Sequence, residues 1–96
     1  MSSINIDHQT QGAAGRFVFP SEQGDAELTY TIGEDGEVIA DHTFVPDALR
    51  GGGIAGKLVN ALVATARSDG WKIVPRCSYV AAAFKRHPEW TDLLAD

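Results

Sequence analysis

Ninety-six residues, 44% of them hydrophobic and 22% charged, suit one small globular domain spanning residues 1–96 and exclude a disordered, collagenous or coiled-coil chain. A net charge of -5 repels phosphate backbones, so nucleic acid is not an expected partner, and the single cysteine, Cys77, excludes an internal disulfide and a cysteine-based zinc cluster, so no metal is expected. No apolar run approaches the roughly 18 residues of a membrane span, and MSSINIDHQT has neither the basic nor the apolar region of a signal peptide; a cytoplasmic location away from membranes is expected.

The first half reads as β-structure. A frayed edge is expected over Ile4–Asp7, and RFVF (Arg16–Phe19) ends at Pro20. Ala26–Ile32 alternates, with Leu28, Tyr30 and Ile32 on one face and Glu27, Thr29 and Thr31 on the other. GEDG (Gly33–Gly36) predicts a hairpin loop, and Glu37–Val45 supplies the returning strand, stopped by Pro46. Three antiparallel strands result. The period then changes: Ile54, Leu58, Leu62 and Ala66 recur every four residues beside Val59 and Val63, which predicts a helix stopped at Asp69-Gly70. Trp71–Val74 is a short apolar strand. Ser78 is expected to cap a helix over Tyr79–Arg86, ended by Pro88, with a last turn over Glu89–Ala95. Strands, helix, strand, helix make an α+β fold whose final strand returns parallel through a helical crossover.

RGGGIAGK (Arg50–Lys57) follows a strand and opens the main helix. Three adjacent glycines cost chain entropy and pack nothing, so they need another reason. Close approach is one: without Cβ atoms the backbone N–H groups reach an anion at a helix N-terminus. A plain flexible turn is the other. Gly51, Gly56 and Lys57 nearly fit a nucleoside-triphosphate loop, but Leu58 stands where a Mg²⁺-binding hydroxyl is required. Gly51, Gly53 and Gly56 also fit a dinucleotide fingerprint. The acid that motif needs after the next strand is missing, since Pro75, Arg76 and Cys77 stand there.

Arg50-x-x-Gly53-x-Ala55 resembles the (Arg/Gln)-x-x-Gly-x-(Gly/Ala) signature of the GNAT superfamily of N-acetyltransferases. With His42-Thr43-Phe44-Val45-Pro46, Leu49-Arg50-Gly51, Val74–Val80 and Lys85–Trp90, the chain from about Glu27 to Trp90 is similar to the small single-domain GNAT-like proteins. The resemblance implies a minimal GNAT-like fold: a mostly antiparallel sheet with one splayed parallel pair and two main helices. It implies acetyl-CoA as acyl donor and an amine as acceptor. The splay would lie between Val38–Val45 and Trp71–Val74. The backbone of Thr43, Phe44 and Val45 would meet the pantothenyl arm. Arg50, Gly51, Gly52, Gly53, Ala55 and Gly56 would hold the pyrophosphate, with Lys57 adding charge.

The same resemblance brings the thioester close to Cys77, between a strand end and a helix N-terminus, where a thiolate is favoured. Cys77 either takes the acetyl group covalently or stands by while the amine attacks acetyl-CoA directly; most free cysteines are simply small buried hydrophobes. His42 is a candidate base, and simple strand alternation puts it on the face opposite Asp41 and Thr43. His87 reads as a helix end, and His8 carries no assigned task. Many GNAT enzymes carry a tyrosine on the last helix as acid to the leaving thiolate; here Phe84 and Lys85 stand in that region, and Tyr79 is near the helix start. The leading reading is an acetyl-CoA-dependent N-acetyltransferase. Its rivals are a non-catalytic CoA-binding module and a structural domain with a vestigial loop. An acidic chain also suits a basic amine acceptor.

Overall fold

The computed structural model describes residues 6–95. Five strands form one sheet in the order β1-β2-β3-β4-β5: β1 (Asp7–Gln11), β2 (Ala14–Phe19), β3 (Ala26–Ile32), β4 (Val38–Phe44) and β5 (Ile73–Pro75). The first four are joined antiparallel, and β5 pairs parallel to β4. Helix α1 (Ile54–Asp69) makes the crossover between β4 and β5 and packs across β2 and β3, while α2 (Ser78–Arg86) packs against β4 and β5. A short 3-10 turn (Asp47–Leu49) precedes the glycine loop, and another (Pro88–Leu93) follows α2. The α+β architecture with one parallel pair and two main helices is the one expected. Among the described residues no helix is long and apolar enough to cross a membrane.

The period-four stripe of α1 buries Ile54, Leu58, Leu62 and Ala66, with Val59 and Val63 beside them. Gly70 caps the helix at φ 76°, a left-handed position that costs other residues about 1 kcal/mol or more, and its N–H returns to the Ala66 carbonyl. The opposing sheet face supplies Phe17, Leu28, Tyr30, Val38 and Ala40. α2 and the final turn close the core with Val80, Phe84 and Trp90.

Three expectations change. The edge strand runs over Asp7–Gln11 rather than Ile4–Asp7; of the expected segment, residues 4 and 5 lie outside the described residues. β1 carries no buried residue, so it had no apolar alternation to read, and the sheet gains a fourth antiparallel strand. His8 has a structural task within it: its Nε2 lies 2.6 Å from the Tyr30 hydroxyl and its ring stacks on Phe17 at 4.3 Å. Gly15 leaves room for this cluster, since a Cβ there would overlap the Tyr30 ring. Finally, Cys77 rather than Ser78 is the N-cap of α2, with an extended backbone at φ -70°, ψ 132°.

Candidate active site at the splayed strands

The parallel ladder between β4 and β5 is short. It pairs Val38 with Ile73, Ile39 with Val74 and Ala40 with Pro75, and then stops. The Ala40 carbonyl accepts from both Arg76 N–H (3.0 Å) and Cys77 N–H (2.8 Å), which turns the chain out of β5 and into α2. Beyond Ala40, β4 continues without β5 beside it.

A β-bulge sets what this free edge presents. On β3, Thr29 pairs with His42 and the next residue, Tyr30, pairs with Ala40, so Asp41 is the extra residue. One extra residue reverses the strand's phase. Before the bulge, Val38 N–H bonds the Lys72 carbonyl and the Ala40 carbonyl faces β5. After it, Thr43 turns toward Cys77, and alternation turns the amide and carbonyl of Phe44 toward Glu27 of β3. Of the three residues expected to offer backbone, Thr43 therefore faces the opening. The Val45 carbonyl already accepts from Arg50 Nε at 3.2 Å.

The bulge also relocates His42. Thr29 donates to Asp41 and pairs with His42, so His42 shares the outer sheet face with Asp41. Thr43 pairs with buried Leu28 and occupies the helix-covered face. The expectation that His42 opposes Asp41 is corrected, because simple alternation fails across a bulge. His42 and Cys77 consequently flank the opening from opposite sheet faces.

Cys77 is half-buried, and in its neutral form Sγ donates to Thr43 Oγ1 at 3.4 Å. The hydroxyl rotor reverses that bond once the sulfur is ionised. Partial burial is the largest single influence on the thiol and raises its pKa. The Thr43 hydroxyl and the N–H groups of Val80, Tyr79 and Thr43 together outweigh it and hold Cys77 below the ordinary thiol value. The helix N–H groups close no capping hydrogen bond to the side chain; they act as dipoles aimed at the sulfur. A depressed pKa keeps thiolate present to lower pH and loses it as pH falls through the folded value. The midpoint of iodoacetamide alkylation against pH is therefore expected to lie lower for the native chain than for the urea-unfolded chain, whose thiol titrates near about 8.5. Coincident midpoints would show that the fold does nothing for this thiol.

The glycine loop begins where Arg50 folds back on β4. Its Nε also lies 3.4 Å from Asp47 on an exposed surface, which makes Arg50 a brace between the 3-10 turn and the strand end. Gly51 and Gly53 adopt φ 87° and 79°, left-handed conformations that explain glycine at both positions. Gly53 is the N-cap of α1 and offers no capping side chain; the first helical bond is Lys57 N–H to the Gly53 carbonyl. The amides of Ile54, Ala55 and Gly56 are thus left for an external acceptor.

A groove of about 380 Å³ runs over this turn, lined by Thr43, Val45, Leu49, Arg50, Gly51, Gly53, Ile54, Ala55, Gly56 and Tyr79. It brings together most of the residues expected at a cofactor site, and Thr43 links it to Cys77. Phe44, Gly52 and Lys57 lie outside the lining. Tyr79 and Leu49 are additions that the sequence did not mark, as is the Thr43 side chain. A larger concavity of about 530 Å³ lies across the sheet, lined by Gln9, Arg16, Thr29 and Asp41 among others. It contains neither the glycine loop nor the thiol, so size does not make it the centre of the chemistry. Among the described residues no group of three or more His, Cys, Asp or Glu side chains is placed to hold a metal ion.

A splayed parallel strand pair and an uncapped glycine-rich helix start are the arrangement that the sequence resemblance implies, and the bulge adds a phase-reversed strand to it. A family model describing the GCN5-related N-acetyl-transferases matches residues 16–93, and the chain belongs to that family. Among solved structures, it is similar to a GCN5-like protein from Staphylococcus aureus determined by NMR in solution. The two share 29% sequence identity at a TM-score of 0.71, over 99% of this chain and 91% of that one.

Proposed function

We propose that this chain transfers an acetyl group from acetyl-CoA to a primary amine, with Cys77, beside the groove residue Thr43, meeting the thioester. The observation that carries the reading is that the uncapped helix start and the free β4 edge meet in one groove whose lining residue Thr43 is bonded to the ionisable Cys77 thiol outside it. The amides around Gly51, Gly52, Gly53, Ala55 and Gly56 hold the diphosphate, and Lys57 adds charge at the rim. Thr43 main chain takes the pantothenyl arm, with Phe44 and Val45 beside it.

The Cys77 thiolate attacks the thioester carbonyl, forming an S–C bond as the CoA–sulfur bond breaks and CoA leaves as thiolate. The neutral amine then attacks S-acetyl-Cys77; a C–N bond forms, the acyl C–S bond breaks to restore the Cys77 thiolate, and His42, on the outer face, takes the proton the nitrogen loses as the amide forms. The acceptor is an amine on a small molecule or a protein, and the acidic chain suits a basic one. Release of CoA thiol from acetyl-CoA across a panel of primary amines tests this reading. Amine-dependent release is expected, and release no faster than buffer hydrolysis with every amine contradicts it. One observation favours a non-catalytic CoA-binding module instead: α2 carries Phe84, buried at 7% exposure, where many relatives place an acid for the leaving thiolate. CoA binding without turnover is its signature.

Arg50→Ala is expected to weaken CoA two- to threefold at low salt and by less at high salt, about 0.4–0.7 kcal/mol at most. Its guanidinium is exposed and Nε is already engaged. Calorimetry over a salt series checks this; a loss independent of salt would leave Arg50 as a brace alone.

A further inference from the structure

Tyr79 lies in the groove, and while its N–H acts on the thiol, its side chain has no part in the acyl-transfer steps. It sits in the first turn of α2, two residues beyond the thiol, and is 37% exposed. Its hydroxyl nevertheless reaches the other helix: Oη is 3.9 Å from the point that a Cβ on Gly56 would occupy. The side chain therefore crosses from the wall that carries Cys77 to the uncapped start of α1. A hydroxyl in that place shares the groove with Gly51, Gly53, Ala55 and Gly56 of the cradle.

The cradle is otherwise poor in side-chain donors. Gly51, Gly53, Ala55 and Gly56 supply only backbone N–H, and Arg50 directs Nε to the Val45 carbonyl and Asp47. A diphosphate has more acceptor oxygens than one helix turn has free amides. A neutral hydroxyl on the facing wall adds a donor without adding charge to desolvate. We propose that Tyr79 is a diphosphate-binding residue whose hydroxyl donates to the phosphate seated at the start of α1. This rests on the CoA reading above.

Tyr79→Phe removes the hydroxyl and keeps the ring, so the fold is retained; an unchanged melting curve verifies this. Calorimetry with three probes tests the proposal: CoA, ADP, which carries the diphosphate without the arm, and pantetheine, which carries the arm without the diphosphate. The expected result is weakening of about five- to tenfold toward both CoA and ADP, with pantetheine unchanged. Unchanged CoA affinity overturns the proposal, and so does equal weakening toward pantetheine, which would place the hydroxyl on the arm. Wild type that binds none of the three removes the CoA reading itself, and the proposal with it. Wild type that binds CoA normally while Tyr79→Phe does too removes only the proposal.

Discussion

Cys77→Ser is expected to bind CoA within about twofold of wild type and to lose amine-dependent thiol release by at least about a hundredfold. Binding survives because no groove residue changes. Turnover fails because a serine hydroxyl, far less acidic than a thiol, does not ionise beside the Thr43 hydroxyl and the N–H groups of Val80, Tyr79 and Thr43 that favour the thiolate. The substitution is unusually clean. Residue 77 is the N-cap of α2, where serine is a better cap than cysteine, so the variant should be as stable as wild type or slightly more so. A folded, CoA-binding Cys77→Ser chain that acetylates amines at the wild-type rate would show direct transfer, with Cys77 confined to packing.

Gly56→Val should weaken CoA by at least about tenfold, or about 1.4 kcal/mol, while leaving thermal stability nearly unchanged. Gly56 lies in the first turn of α1 and lines the groove, and a Cβ there would meet only the Tyr79 hydroxyl, at an ordinary contact of 3.9 Å. Valine and glycine differ by only a few tenths of a kcal/mol in a helix interior, in valine's favour. A lost affinity therefore reports obstruction of the cradle rather than unfolding. Gly53 is a poorer test, because its φ of 79° would strain any side chain and the loop would change shape whether or not a ligand binds there. Calorimetry beside a melting curve decides the matter, and equal CoA affinity in Gly56→Val would remove the cradle.

How much of this was legible in the sequence follows from which features leave a pattern. β3 falls on Ala26–Ile32 as its alternation requires, and α1 buries the period-four stripe from Ile54 to Ala66. The loop from Arg50 to Lys57 was legible because adjacent glycines have no packing use. β1 was not, because its DHQTQ sequence is exposed along its length and hydrophobic patterning is silent there. The bulge at Asp41 was invisible for a different reason. Bulges leave little compositional trace, yet this one decides which β4 groups face the opening and moves His42 to the outer face. The Thr43–Cys77 contact joins residues 34 apart in the chain and exists only through the β4–β5 pairing. The reach of Tyr79 to the start of α1 likewise depends on the crossover that sets the two helix N-termini side by side.

The most direct test of Cys77-dependent acetyl transfer is intact mass, with peptide mapping, after brief incubation of wild type with acetyl-CoA and an acid quench. The expected result is one acetyl group on Cys77, discharged when a reactive primary amine is added, with acetylated amine appearing in step. An unmodified chain, with no acetylated amine formed from any member of the panel, would contradict the account and leave a protein that binds CoA without using it.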